Sequence, residues 1–168
     1  DTDAVSRANG CCGISAVDDA RRVAERLDIP YYVMNFRKEF QKNVIDYFTQ
    51  EYVHGRTPNP CIACNRYVKW ESLLERSLDI AADYIATGHY AKMEDGKLKR
   101  AVDLNKDQTY FLADVKKEAL KNVLFPVGDY TKSEIRKIAE ENNLNVAHKK
   151  DSTGICFIGE RNYQKFIE

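Results

Sequence analysis

The stretch NRYVKWESLLERSLDIAADYIATGHY, residues Asn65–Tyr90, carries the reading on which the fold depends. Trp70, Leu73, Leu74, Ser77, Leu78 and Ala81 fall at the three- and four-residue spacing of one helical face, and Asn65 can cap that helix. Tyr84–Thr87 is short and apolar, bounded by a polar turn and a glycine, and reads as a buried strand. A helix feeding a strand is part of a parallel unit, and the ligands of such sheets sit beyond the carboxyl ends of the strands. Gly88 and His89 occupy that end, where a glycine lets a ligand approach the backbone.

The alternation extends upstream. Val17, Ala20, Val23, Ala24 and Leu27 predict a helix from about Ala16 to Leu27, opened by a Ser15 and Asp18 capping box and broken at Pro30. Tyr31–Phe36 predicts another buried strand. Val44, Ile45, Phe48 and Tyr52 mark a helix that ends before Gly55, and two prolines stiffen the loop Arg56–Pro60. Downstream, Asp95-Gly96 within Met93–Val102 is a hairpin signal. Thr131 and Glu134 form a capping box for a helix whose apolar face is Ile135, Ile138 and Ala139 and whose end lies near Asn142-Asn143. The pattern predicts an α/β fold: a mostly parallel, Rossmann-like sheet flanked by helices, with a small antiparallel hairpin and a helical C-terminal part.

A chain of 168 residues, 43% of them hydrophobic, is expected to form one main domain with a core. Its 26 Lys and Arg balance 26 Asp and Glu, so overall charge neither argues for nucleic acid nor excludes it. No apolar run reaches membrane-spanning length and no signal-like segment opens the sequence, so it reads as soluble and cytosolic. Asp1–Gly10 is polar without a strand pattern, and the sequence stops inside a helical pattern of Tyr163, Phe166 and Ile167, so the protein is expected to continue at both ends.

Five cysteines, with Cys61 and Cys64 spaced as C-x-x-C, favour metal or redox chemistry over structural disulfides in a cytosolic protein. A thiol near a helix start is biased towards thiolate, which suits a nucleophile or a metal ligand. Structural zinc is the alternative; it needs four ligands, and the adjacent Cys11 and Cys12 are poorly spaced to supply two. Cys156 lies in the polar, glycine-containing segment Lys149–Phe157. It reads equally as a small hydrophobe beside Ile155 and Phe157 or as a thiol activated by Lys149 and Lys150 folding back. Lys106-Asp107-Gln108-Thr109-Tyr110 reads by default as a solvated helix start.

Four segments taken together resemble the tRNA-specific 2-thiouridylase family: Gly55–Pro60 with Cys64-Asn65, Ala86–Tyr90, Lys106–Leu112, and Asp151–Gly159. The resemblance implies an adenine nucleotide alpha-hydrolase-like fold and an enzyme that uses ATP with magnesium to adenylate a wobble uridine of tRNA before replacing its oxygen with sulfur. It makes Cys64 the catalytic cysteine and Cys156 the carrier of a persulfide from a sulfur-donor protein. It places Gly88 on the nucleotide, His89, Lys106, Asp107 and Gln108 on tRNA, and Asn59, Pro60 and Cys61 against the target base. It divides the chain into a partial ATP-pyrophosphatase-type nucleotide-binding domain over 1–114 and a helical continuation over 115–168 that carries the second cysteine and begins a central domain.

Two departures from the family pattern bear on this. The Ser-Gly-Gly-x-Asp-Ser loop that cradles pyrophosphate, the later central region and the β-rich C-terminal domain are not in the sequence, so the chain alone is expected to bind ATP weakly and to be inactive. Cys61 stands where many members have Asp, which opens a second route: Cys61, Cys64 and Cys156 as ligands of a four-iron four-sulfur cluster with one open iron. A zinc-stapled, non-catalytic binding module is the competing reading.

Overall fold

The structure, a computed structural model, describes residues 14–151, 154–158 and 166. Cys11, Cys12, Ser152, Thr153, Gly159, Tyr163, Ile167 and the side chain of Ser15, all singled out above, lie outside the described part. Among the described residues the elements run as follows. Helix α1 is Ile14–Arg26. Helix α2 continues through Arg37–Phe40, a π-helical Gln41–Asp46 and Tyr47–Val53, and α3 through Pro60–Ala63, a π-helical Cys64–Leu73 and Leu74–Asp79. Strands β1 Ile85–Ala86, β2 Ala91–Glu94 and β3 Lys97–Arg100 come next, then a 3-10 turn Thr109–Leu112, helix α4 Lys117–Leu120, strand β4 Val123–Leu124 and helix α5 Lys132–Glu141. The chain gathers into two compact units, one of the described residues up to Asn35 and from Arg136 onward, the other of Phe36–Ile135.

In the first unit α1 forms as its apolar period demands, with Ala24 buried. Ile29 N donates to Ala24 O at 3.1 Å and Tyr31 OH to Val17 O at 2.9 Å, which fastens the following segment to the helix. The strand expected at Tyr31–Phe36 does not form. No described residue lends it a ladder partner, and Tyr32 and Val33 are 74% and 65% exposed, so apolar character was mistaken for pairing. Asp19 of α1 accepts from Asn145 Nδ2 at 3.3 Å and Lys149 Nζ at 2.5 Å.

The second unit holds two two-stranded sheets, one parallel and one antiparallel. β1 and β4 are parallel, with Ile85 opposite Val123 and Ala86 opposite Leu124, and the ladder is extended by Ile85 N to Asn122 O and Thr87 N to Leu124 O. β4 was not expected: two apolar residues after a short helix carry no periodicity. The hairpin forms as read, with Glu94 opposite Lys97 and Asp95 and Gly96 both at positive φ (51° and 69°), the two-residue turn that matches strand twist. Trp70, Ala91, Leu112, Leu120, Val123 and Phe125 form the core that joins α3, the hairpin and the parallel pair.

The capping box at Thr131 is also present. Thr131 N donates to Glu134 Oε2 at 2.7 Å and Glu134 N to Thr131 Oγ1 at 3.3 Å, and α5 ends before Asn143 at φ 53°. The cap of α3 needs correcting: it is Asn59, and Asn65 lies inside the helix at 3% exposure. The expected core face shifts accordingly. Val68, Trp70 and Ser77 are buried, whereas Leu78 and Ala81 are exposed.

Candidate active site around the start of helix α3

Asn59 sits in extended backbone (φ −103°, ψ 101°), and its Oδ1 accepts from Cys61 N at 3.0 Å and Ile62 N at 3.4 Å. Pro60, buried, takes the first helical position, where its missing N–H costs nothing. This shifts the register of the thiols: Cys61 occupies the first turn, and Cys64 opens the second, where the π-helical stretch begins. The partial positive charge of the helix start therefore bears on Cys61 more than on Cys64. Both thiols are half-buried.

Two asparagines tie this turn to the 3-10 turn after Gln108. Asn59 Nδ2 donates to Tyr110 OH at 3.3 Å, and Asn65 Nδ2 donates to Phe111 O at 3.2 Å. Asn65 Oδ1 is buried without a hydrogen-bond partner among the described residues. Neither link was visible in the sequence, because each joins residues 46 to 51 positions apart. The Asn-Pro before the C-x-x-C was the available signal for the true cap.

The polar run Lys106–Gln108 proves to be anchored. Gln108 Oε1 accepts from Tyr90 N at 3.0 Å while Gln108 N donates to Tyr90 O at 2.8 Å. Asp107 accepts from Ala101 N and Arg100 Nε, both at 3.1 Å, and from Thr109 Oγ1 at 2.8 Å. Burial alone would raise the Asp107 carboxyl, but the hydrogen bonds from Thr109, Ala101 and Arg100 hold it below the usual carboxylate range. Lys106 is exposed beside them.

At the end of β1, Gly88 is exposed and a Cβ added there would meet nothing within 4 Å, so the space a ligand needs is present. His89 is half-buried, with Nδ1 2.8 Å from Thr87 Oγ1 and its ring 6.2 Å from that of Trp70. Burial first, and the nearby Lys69 second, push its pKa down to about 4, so the imidazole is neutral at physiological pH. A cleft of about 310 Å³ lies between α2 and α3, with Lys42, Asn43, Tyr47, Asn59 and Tyr67 among its lining.

Cys156 belongs to the other unit. It is half-buried in a turn closed by Ile158 N donating to Ile155 O at 3.2 Å, next to buried Phe157 and Ile158. Lys149, one of the two lysines considered for activating this thiol, pairs its ammonium with Asp19. Among the described residues no group of three or more His, Cys, Asp or Glu side chains is gathered to hold a metal ion. Cys61 and Cys64 belong to one unit and Cys156 to the other. No helix among the described residues is long and apolar enough to cross a membrane.

An α/β, Rossmann-like domain with a ligand-accessible strand end and a thiol pair at a helix start defines a class of nucleotide-handling domain. The profile of the tRNA methyl transferase HUP domain matches residues 1–160, and the chain belongs to that family. It is 60% identical over all of its length to a tRNA-specific 2-thiouridylase MnmA of Lachnoclostridium phytofermentans, of which it covers 48%. It is 56% identical over 96% of its length to one from Clostridium perfringens, and 53% over 95% to one from Carboxydothermus hydrogenoformans, covering 46% and 45% of those proteins. The chain spans about half the length of the curated relatives it matches.

Proposed function

We propose that this chain is part of a cytoplasmic tRNA uridine 2-sulfurtransferase, with residues 1–114 in its nucleotide-binding domain and 115–168 leading into a central domain. The observation that carries the reading is the Asn59-capped turn bearing Cys61 and Cys64, fastened through Tyr110 and Phe111 to the anchored run Lys106–Gln108. The names and identities of the relatives support it.

ATP with magnesium supplies the activation: adenylation of the uridine O2 makes that oxygen a leaving group within AMP. The chain's residues then do the rest. Gly88 leaves room for the nucleotide, Asn59 and Pro60 hold the turn that faces the target base beside Cys61, and neutral His89 with Lys106, Asp107 and Gln108 lines the tRNA side. Cys156 carries a persulfide received from a donor protein, and its outer sulfur bonds to C2 of the uridine as the O2–C2 bond breaks and AMP departs. Cys64 thiolate then attacks the Cys156 sulfur. The S–S bond to the transferred sulfur breaks, a Cys64–Cys156 disulfide forms, and the two protons released go to uridine N3 and solvent. The persulfide's outer sulfur is thereby reduced by two electrons drawn from the two thiols, and an external thiol reductant resets the pair.

In the whole protein, Cys64→Ser and Cys156→Ser should each abolish thiolation while retaining the fold, and Cys61→Ser should retain activity with no iron in the purified protein. Thiolation by Cys64→Ser contradicts the reading.

A further inference from the structure

We propose that the cleft between α2 and the start of α3 binds one unpaired nucleotide adjoining the uridine that is modified; this deepens, and rests on, the tRNA-thiolation reading above. The cleft, of about 310 Å³, is at the small end of ligand sites, which run from about 300 to 1,000 Å³, and suits a single nucleotide rather than a base pair. Its lining brings together two aromatic side chains, Tyr47 and Tyr67, the exposed Lys42, the carboxamides of Asn43 and Asn59, and the apolar Ile62. Stacking faces with a cation beside them are the means by which proteins hold single-stranded nucleic acid, and a carboxamide can read the edge of an unpaired base.

The acidic group in the cleft does not oppose a phosphate. Asp114 Oδ2 is 2.6 Å from Arg66 Nη1, so its charge is compensated. The same guanidinium lies 4.8 Å from the Tyr67 ring centroid, over one face of it. None of the described residues forms an ion pair with Lys42. The cleft is also next to the chemistry. Ile62 and Ala63 lie between Cys61 and Cys64, and successive helical residues point about 100° apart, so cleft and thiols occupy neighbouring faces of a helix about 10–12 Å across. Adjacent nucleotides of one strand can fill both.

The test uses the whole protein and an RNA stem-loop containing the target uridine. Lys42→Ala, Asn43→Ala and Tyr47→Ala should each raise KM for RNA roughly tenfold, the scale of one lost stacking or phosphate contact, with kcat within about twofold and alkylation of Cys64 unchanged. Tyr47→Phe keeps the ring and should keep KM. 4-Thiouridine placed on either side of the target should crosslink to Tyr47 or Tyr67. Unchanged KM in the three alanine variants, Tyr47→Phe binding as weakly as Tyr47→Ala, or absence of the crosslink overturns the subsite. Thiolation that survives Cys64→Ser overturns the enzymatic reading beneath it.

Discussion

Burial beside Trp70, reinforced by Lys69, lowers the His89 pKa from 6.5 to about 4. A histidine whose folded pKa is depressed stabilises the fold in full above the unfolded value, and that contribution is lost as pH falls through the folded value. The window is therefore 6.5 down to about 4. Asp107, Glu51, Glu94 and Glu134 are lowered from ordinary carboxylate values of 3.8 to 4.5 and lose their contributions only below that range. Urea unfolding should thus show a loss of about 2 kcal/mol between pH 7 and pH 5, and His89→Gln should flatten that slope. An unchanged slope in the variant would mean that His89 is not the group responsible. At this scale the sequence was legible where one residue type has one local use. The pair Thr131 and Glu134 satisfied each other three residues apart, as capping boxes do. Asn65 was misread because its partner, Phe111 O, is 46 residues away, and the spacing of apolar residues does not report such a bond.

Among the elements, the hairpin and α5 were fixed by local chemistry and form where expected, while Tyr31–Phe36 and β4 depended on partners elsewhere in the chain. Strand identity is a property of pairs, which explains why an apolar run could be overrated and a two-residue strand missed. The packing of β2 rests on a similarly non-local contact. Gly128 is buried, and a Cβ placed on it would come within 1.9 Å of Ala91 O. That oxygen belongs to backbone in a paired strand, which cannot yield as a flexible side chain would. Gly128→Ala should accordingly destabilise the protein by about 3 kcal/mol or more, read from denaturant midpoints with an unchanged m-value. A loss below about 1 kcal/mol would show that the 126–129 turn moves away from β2 freely.

For the whole molecule, the ion pairs at the surface say little about stability. Arg56 with Glu51, Lys92 with Asp129 and Arg100 with Asp107 each leave at least one partner well exposed, where water and salt screen the attraction and ordering the side chains offsets it. The charge balance that left nucleic acid undecided also gave no hint of the cleft beside α3, because the proposed subsite depends on the arrangement of Lys42, Tyr47 and Tyr67 rather than on their number. The thiols were singled out by resemblance, and the Asn59 cap and the Tyr110 and Phe111 links came only with the structure. In the proposed reaction one turnover takes sulfur from Cys156 and oxidises Cys64. The direct measurement loads the whole protein with radiolabelled persulfide sulfur on Cys156, adds tRNA and ATP without reductant, and follows label and thiols through a single turnover. Label should appear in the uridine with one Cys64–Cys156 disulfide for each sulfur transferred; label in the uridine with both cysteines still reduced rules the proposed transfer out.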